Sequence, residues 1–293
     1  MSRKLCLAAC AVLWSAAAWS APQPDRPITA VAAENFYGDV ARQIGGPDVN
    51  VISILNSPDQ DPHEFEASPS TARALSGARI VIYNGADYDP WMEKLLAGSK
   101  SGRRDVIVVA NLMGKKTGDN PHLWYDPATM PAVASKIAAA LEAVDPAHGD
   151  EYRLRLKTFV ESLEPVAAKI NTIKAKHQGI PVTATEPVFG YMAKALGFEM
   201  RNERFQLSVM NDAEPRPSDV AAMQNDLKGG KVKLLFYNSQ VSSGMTKRML
   251  ALAKAGKVPV VGITETAPPH KSYQEWITGE LDAVEKALGG SGL

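Results

Sequence analysis

Cysteine is nearly absent. Only two occur in 293 residues, Cys6 and Cys10, and both sit in an apolar N-terminal run. Without that run the chain has no disulfide and no thiolate ligand, so a metal site in it must be built from histidine and carboxylate. Net charge is absent as well: 32 Lys and Arg balance 32 Asp and Glu, and loss of Arg3 and Lys4 with a leader leaves 30 against 32. That balance supplies no basic field for nucleic acid and no charged tail. No apolar run reaches the roughly 20 residues that span a bilayer. Nor is there an H-E-x-x-H helix, a Gly-x-Ser-x-Gly turn or a phosphate-binding glycine loop, the familiar marks of zinc peptidases, serine hydrolases and nucleotide binders. What remains is an ordinary folded composition, 45% apolar and 22% charged, with a length that suits about two domains.

The N-terminus points to export. Arg3 and Lys4 precede LCLAACAVLWSAAAW, and Ser20-Ala21-Pro22 follows. These are the n-region, h-region and small-residue cleavage site of a signal peptide. Cleavage is expected after Ser20, with Ala21 the next choice, which places the mature chain in the periplasm. Leu7-Ala8-Ala9-Cys10 resembles a lipobox. Too few apolar residues precede it and too many follow, so a lipid anchor is not expected.

The longest periodic stretch runs from Pro146 to His177. Tyr152, Leu156, Phe159, Leu163, Val166, Ile170 and Ile173 are spaced by alternating fours and threes, the buried stripe of one helix. Thirty-odd residues make a rod of roughly 45 Å, and Pro165 is expected to kink it. Strands alternate with helices on both sides. The first half opens on PITAVAAENFYGDVARQIGG, which reads as strand, turn and helix, and continues with the strands VNVISIL, ARIVIYN and DVIVVAN, with a helix near 70–76 capped by Ser68 or Ser70. The second half offers PVTAT, FEMR, VKLLFYN and VPVVGI, with helices near 189–196, 218–227, 243–255 and 273–288. This grammar predicts an α/β fold of two lobes, each a parallel sheet flanked by helices, joined by one long spine helix. The expected boundaries are 1–20 for the signal peptide, 21–145 for the first lobe, 146–178 for the linking helix and 179–293 for the second lobe. A faint repeat also aligns Glu34-Asn35-Phe36-Tyr37-Gly38 with Glu186-Pro187-Val188-Phe189-Gly190, compatible with a duplicated lobe or with two ordinary βα units.

Five histidines are present, and two have unusual neighbours. His63 lies in Asp61-Pro62-His63-Glu64-Phe65-Glu66 and His122 in Asn120-Pro121-His122-Leu123-Trp124-Tyr125-Asp126-Pro127. A proline before each fixes the local backbone and helps to hold an imidazole. Ligands of parallel sheets collect outside the carboxyl ends of strands. In the second half that rule selects Glu186, after PVTAT, and Glu265, after VPVVGIT. Two imidazoles with two carboxylates suit Zn2+, Mn2+ or Fe2+. His270 is the alternative to Glu265. His148 and His177, at the ends of the spine, read as solvated or capping residues. Trp124 and Tyr125 are expected to pack beneath His122, and Asn238-Ser239-Gln240 to exit a strand near the cleft.

Taken in order, the leader, D-P-H-E-F-E, N-P-H-L-W-Y-D-P, the spine and the two strand-end acids resemble the metal-binding substrate-binding proteins of ABC importers. The resemblance covers essentially the whole mature chain. It implies four ligands around one divalent ion in the interlobe cleft: His63 and His122 from the first lobe, Glu186 and Glu265 from the second. It further implies a non-enzymatic, monomeric carrier that hands Zn2+ or Mn2+, with Fe2+ a further choice, to a membrane permease. Many zinc members have a third histidine where this chain has Glu186, and a carboxylate there is more typical of manganese or iron members. Many also carry a long His-rich loop, which here is only Leu112 to Asn120. Three other readings compete. A haem or metal–chelate carrier would need a broad aromatic or arginine-lined cleft. A metal-dependent hydrolase would use His63 and Glu64 as ligand and base and keep a water on the metal. An adhesin-like surface role would need the lipid anchor.

Overall fold

The computed structural model describes residues 27–58, 65, 68–99 and 101–289. The first lobe contains β1 (Ile28–Glu34), α1 (Asn35–Gly45), β2 (Val49–Leu55), α2 (Pro69–Gly77), β3 (Ile80–Tyr83), α3 (Pro90–Gly98), β4 (Asp105–Val108), the single turn α4 (Val109–Leu112) and α5 (Thr129–Val144). The spine is α6 (Gly149–Ser162) and α7 (Glu164–His177). The second lobe contains β5 (Pro181–Ala184), α8 (Gly190–Ala195), β6 (Glu199–Arg201), α9 (Glu203–Met210), α10 (Pro217–Lys228), β7 (Leu235–Asn238), α11 (Gly244–Ala255), β8 (Val260–Ile263) and α12 (Tyr273–Gly289).

All described strand pairs are parallel, and the two sheets share one order, β2-β1-β3-β4 and β6-β5-β7-β8. The β1–β3 ladder pairs Ala32 with Ile82, and the β5–β7 ladder pairs Ala184 with Phe236. Two residues beyond those pairs stand Glu34 with Asn84 and Glu186 with Asn238. The faint sequence repeat therefore extends to a shared topology and register, and both sheets send their strand ends toward the seam between the lobes. Local signals set the helix starts: Ser68 accepts the Thr71 N–H at 3.2 Å and Ser243 the Thr246 N–H at 3.0 Å, caps that contribute about 1 kcal/mol each.

Three expectations need correction. The spine breaks at Leu163 rather than at Pro165. Pro165 has no N–H for the carbonyl four residues earlier, so the disruption falls in the preceding turn; Leu163 N–H instead bonds Val160 O at 3.1 Å, and regular bonding resumes with Ala167 N–H to Leu163 O at 3.0 Å. The strand expected over DVIVVAN stops at Val108. Val109 and Ala110 turn inward as helix, with Ala110 N–H held by Asn84 O at 2.8 Å. Helix α9 was not expected: its short sequence has a near-even polar balance and buries only Phe205 and Gln206.

The main core is continuous across the seam. Ring centroids lie 4.7 Å apart for Phe36–Trp124, 5.5 Å for Tyr125–Trp276, 5.1 Å for Tyr125–Phe189 and 4.8 Å for Phe189–Phe236. Such pairs add about 0.5–1.5 kcal/mol each beyond area burial. Hydrogen bonds cross with them: Tyr125 OH to Thr264 O and Tyr273 OH to Trp124 O, both at 2.7 Å, and the Asn35 amide to both backbone groups of Ala267 at 2.7 and 3.1 Å. Two lobes joined this way resist wide opening.

Candidate metal site

The Asn-Pro-His segment holds His122 in one pose. The Asn120 side-chain oxygen accepts the His122 backbone N–H at 3.1 Å and lies 2.7 Å from Nδ1. Asn120 Nδ2 is committed to the Pro187 carbonyl at 2.8 Å across the seam, so the carboxamide cannot be turned round. An oxygen facing Nδ1 places the ring proton there and leaves the Nε2 lone pair for a metal. Gly190, at the start of α8, makes room for this bridge: a Cβ on it would stand 3.1 Å from Asn120 Nδ2. Trp124 packs against the imidazole with ring centroids 5.3 Å apart.

Nε2 of His122 faces Glu265 Oε2 at 3.7 Å. That gap is too long for a hydrogen bond and near the roughly 3.3 Å between nitrogen and oxygen ligands of a tetrahedral zinc. Both residues are 1% exposed, and Glu186 is 8% exposed. Asn238, the last residue of β7, joins the two carboxylates: its single Nδ2 donates to Glu265 Oε1 at 2.5 Å and to Glu186 Oε2 at 3.2 Å. Gln240 braces the same corner. Its oxygen accepts from Glu265 N at 2.5 Å and Thr266 N at 3.0 Å, and its Nε2 donates to Pro58 O at 2.7 Å, across the seam. Tyr88 is wholly buried beside this corner; burial first, then the Glu265 and Glu34 charges, push its hydroxyl well above the usual range.

The structure thus brings His122, Glu265 and Glu186 to one corner of the seam. Among the described residues no group of three or more His, Cys, Asp or Glu is close enough to hold a metal ion. His63 lies outside the described residues, as do Glu64 and Glu66. His270 stands apart: exposed, in a left-handed turn with φ of 63°, it borders a polar surface cleft with Arg42 and Lys271. His148 bonds Asp145 at 2.6 Å beside the spine, and Asp126 accepts the Ala128 N–H at 3.0 Å in a turn.

Sequence reasoning carried Asn120 only as part of the Asn-Pro-His motif, without its role, named Asn238 and Gln240 only as a strand exit near the cleft, and missed Tyr88. It also missed the buried pair Glu34 and Asp89. Asp89 accepts the Asn84 and Gly85 N–H groups at 2.6 and 2.7 Å, clamping the turn that presents Tyr88. Burial raises Asp89 to about 6 against those two bonds, and burial with the Asp89 charge raises Glu34 well above its ordinary value. The visible hint was the Asn84-Gly85 turn followed by an acid.

Two lobes of one topology, a helical spine and a buried imidazole–carboxylate set at the seam define a two-lobed binding protein for a small cationic cargo. The sequence pattern of the zinc-uptake complex component A, periplasmic (ZnuA) family matches residues 30–287, and this chain belongs to that family. The manganese ABC transporter substrate-binding lipoprotein PsaA of Streptococcus mitis is 26% identical over 281 residues, covering 88% of each chain. The iron ABC transporter substrate-binding lipoprotein MtsA of Streptococcus pyogenes serotype M1 is also 26% identical over 281 residues and 88% of each. A manganese-bound mutant of a periplasmic metal-binding protein from Candidatus Liberibacter asiaticus shares the fold, with a TM-score of 0.73 over 89% of this chain and 99% of that one, at 19% identity. The chain is a metal-binding substrate-binding protein of ABC transporters, not an enzyme. One expectation is overturned. The relatives are named lipoproteins, so the argument from leader anatomy against a lipid anchor does not stand; Cys10 itself lies outside the described residues. A periplasmic or extracellular location fits these relatives.

Proposed function

We propose that the protein captures one divalent transition metal ion, Zn2+ or Mn2+ with Fe2+ a further choice, between its lobes and delivers it as a monomer to the permease of an ABC importer. The ligands are His63, His122, Glu186 and Glu265. The observation that carries this reading is His122: its tautomer is fixed by Asn120 and its Nε2 is aimed at Glu265 Oε2 from 3.7 Å. Deep burial of His122, Glu186 and Glu265 suits a bare ion better than a haem or a bulky chelate. The aromatic seam favours small movements on release over a wide hinge.

Elemental analysis of the purified, tag-free mature protein tests the reading, alongside Glu186→Ala. One equivalent of Zn or Mn in the parent, lost or sharply weakened in the variant, supports a single interlobe site. No metal in the parent after separate supply of Zn2+ and Mn2+ overturns the ligand set.

A further inference from the structure

We infer that Asn238 selects among metal ions by limiting Glu186 and Glu265 to one metal-facing oxygen each, which favours Zn2+ over Mn2+. The inference rests on the reading that these two carboxylates are ligands.

Asn238 has no freedom to act otherwise. It is 2% exposed. Its Oδ1 accepts the Gln240 N–H at 3.0 Å, and its own backbone N–H reaches Thr185 Oγ1 at 3.3 Å. With Oδ1 committed to a donor, Nδ2 must face the carboxylates, and the amide cannot be flipped without placing an oxygen against two anions. Nδ2 carries two protons. One bonds Glu265 Oε1 and the other bonds Glu186 Oε2. The oxygen of Glu265 that faces His122 Nε2 is the other one, Oε2.

A carboxylate that chelates an ion through both oxygens must turn both toward it. For Glu186 or Glu265 that rotation draws the bonded oxygen away from a buried, charge-assisted hydrogen bond and leaves the buried amide N–H short of its acceptor. Each acid is therefore held to one oxygen, which lowers the coordination number available to the ion by up to two. Zn2+ accepts four ligands readily. Mn2+ favours an octahedral, oxygen-rich shell and loses more from the restriction.

The test uses the mature protein, Asn238→Ala and Asn238→Ser, the second retaining a small polar group in case the first does not fold. Dissociation constants for Zn2+ and Mn2+ are measured by chelator competition, and Co2+ is added as a spectroscopic probe of coordination number. In the parent, Co2+ should give the intense visible bands of a four-coordinate ion. In the folded variant those bands should weaken, and the Kd ratio of Mn2+ to Zn2+ should fall about tenfold or more, the scale of an altered outer-shell partner. A six-coordinate Co2+ spectrum in the parent, or an unchanged ratio and spectrum in both variants, overturns the inference while leaving metal capture intact. Metal binding unaffected by Glu186→Ala and Glu265→Ala removes the carboxylates from the ligand set, and the underlying reading fails with it.

Discussion

Asn120→Ala removes the acceptor that fixes the His122 tautomer, and its effect on metal affinity can be worked out from the geometry. In the apo protein the 2.7 Å contact from Nδ1 to Asn120 Oδ1 is an ordinary neutral hydrogen bond, with a net value of about 0.5–1.5 kcal/mol. A bound divalent ion withdraws charge from the ring, so Nδ1–H becomes a stronger donor and the bond approaches the roughly 1.5–3 kcal/mol of a charge-assisted one. Only the difference appears in affinity. Taken end for end it is about 1–1.5 kcal/mol, which predicts a loss of about 5- to 13-fold, at the lower edge of the range found for outer-shell partners of metal-bound histidines. The same variant loses the 2.8 Å bond to Pro187 O, which lowers stability in both states and leaves affinity almost alone. Asn120→Asp separates the two roles. It keeps an acceptor for Nδ1 but sets an anion against the Pro187 carbonyl, so affinity should stay within about threefold while stability falls by about 1–2 kcal/mol. Competition against a chromophoric chelator gives affinity, and denaturant unfolding of the apo protein gives stability. Parent-like metal binding by Asn120→Ala would refute the tautomer argument, as would equal weakening by Asp and Ala.

Glu265→Ala should cost at least about 100-fold in metal affinity, whereas His270→Ala, at an exposed turn, should cost almost nothing; the reverse result in the same competition assay would exchange their roles. Glu280 is pushed up to about 7, chiefly by burial, against bonds from Thr264 and Trp276. Its folded pKa lies above its unfolded one, so its stabilisation is full below about pH 4.5 and is lost as pH rises through 7. Between pH 5 and 8.5 the parent should therefore lose on the order of 2 kcal/mol at this residue, and Glu280→Gln should flatten that part of the denaturation profile; an identical slope in both proteins would show that Glu280 does not titrate so high. Apo and metal-loaded forms should give the same radius of gyration by solution scattering, because the aromatic seam persists in both; clear compaction on loading would contradict a rigid spine and seam.

How much was legible in the sequence depended on how local the cause was. Strands such as IVIY and VVGI are short apolar runs whose burial needs no partner to be guessed, and the strand-end rule then located Glu186 and Glu265. His122 was visible because Asn120 and Pro121, which orient it, are its neighbours in the chain. Failures arose where a distant partner decided. Val109 and Ala110 continue the apolar run of the strand, but the β3–β4 ladder ends at Tyr83–Val108, and Asn84 O holds the Ala110 N–H as the chain enters a helical turn. Gln240 reads as a polar strand exit until the fold places Pro58 within 2.7 Å of it.

The proposed ligand set takes both of its carboxylates from strand ends of the second lobe, and the shared register gives a physical reason for that difference between the lobes. Glu34 and Asn84, at the carboxyl ends of β1 and β3, occupy the same register places as Glu186 and Asn238 at the carboxyl ends of β5 and β7. In the second lobe Asn238 turns its amide donor to Glu186 and Glu265, so the two carboxyl groups share one donor at the corner proposed to hold the cation. In the first lobe Asn84 spends its donor on Gly85 O and Pro121 O, at 3.0 and 2.9 Å, and accepts from Tyr37 OH at 2.6 Å. Glu34 is left facing Asp89, and burial with that neighbouring charge raises its pKa well above the ordinary value. A carboxyl shifted that way binds a divalent ion less well, because a proton competes with the metal. The same asparagine instead grips the carbonyl of Pro121, the residue before His122, so the first lobe's Glu–Asn corner anchors the loop that carries the proposed imidazole ligand. The division predicts opposite outcomes for one change: Asn238→Ala should alter which metal binds, and Asn84→Ala should weaken every metal alike by loosening His122.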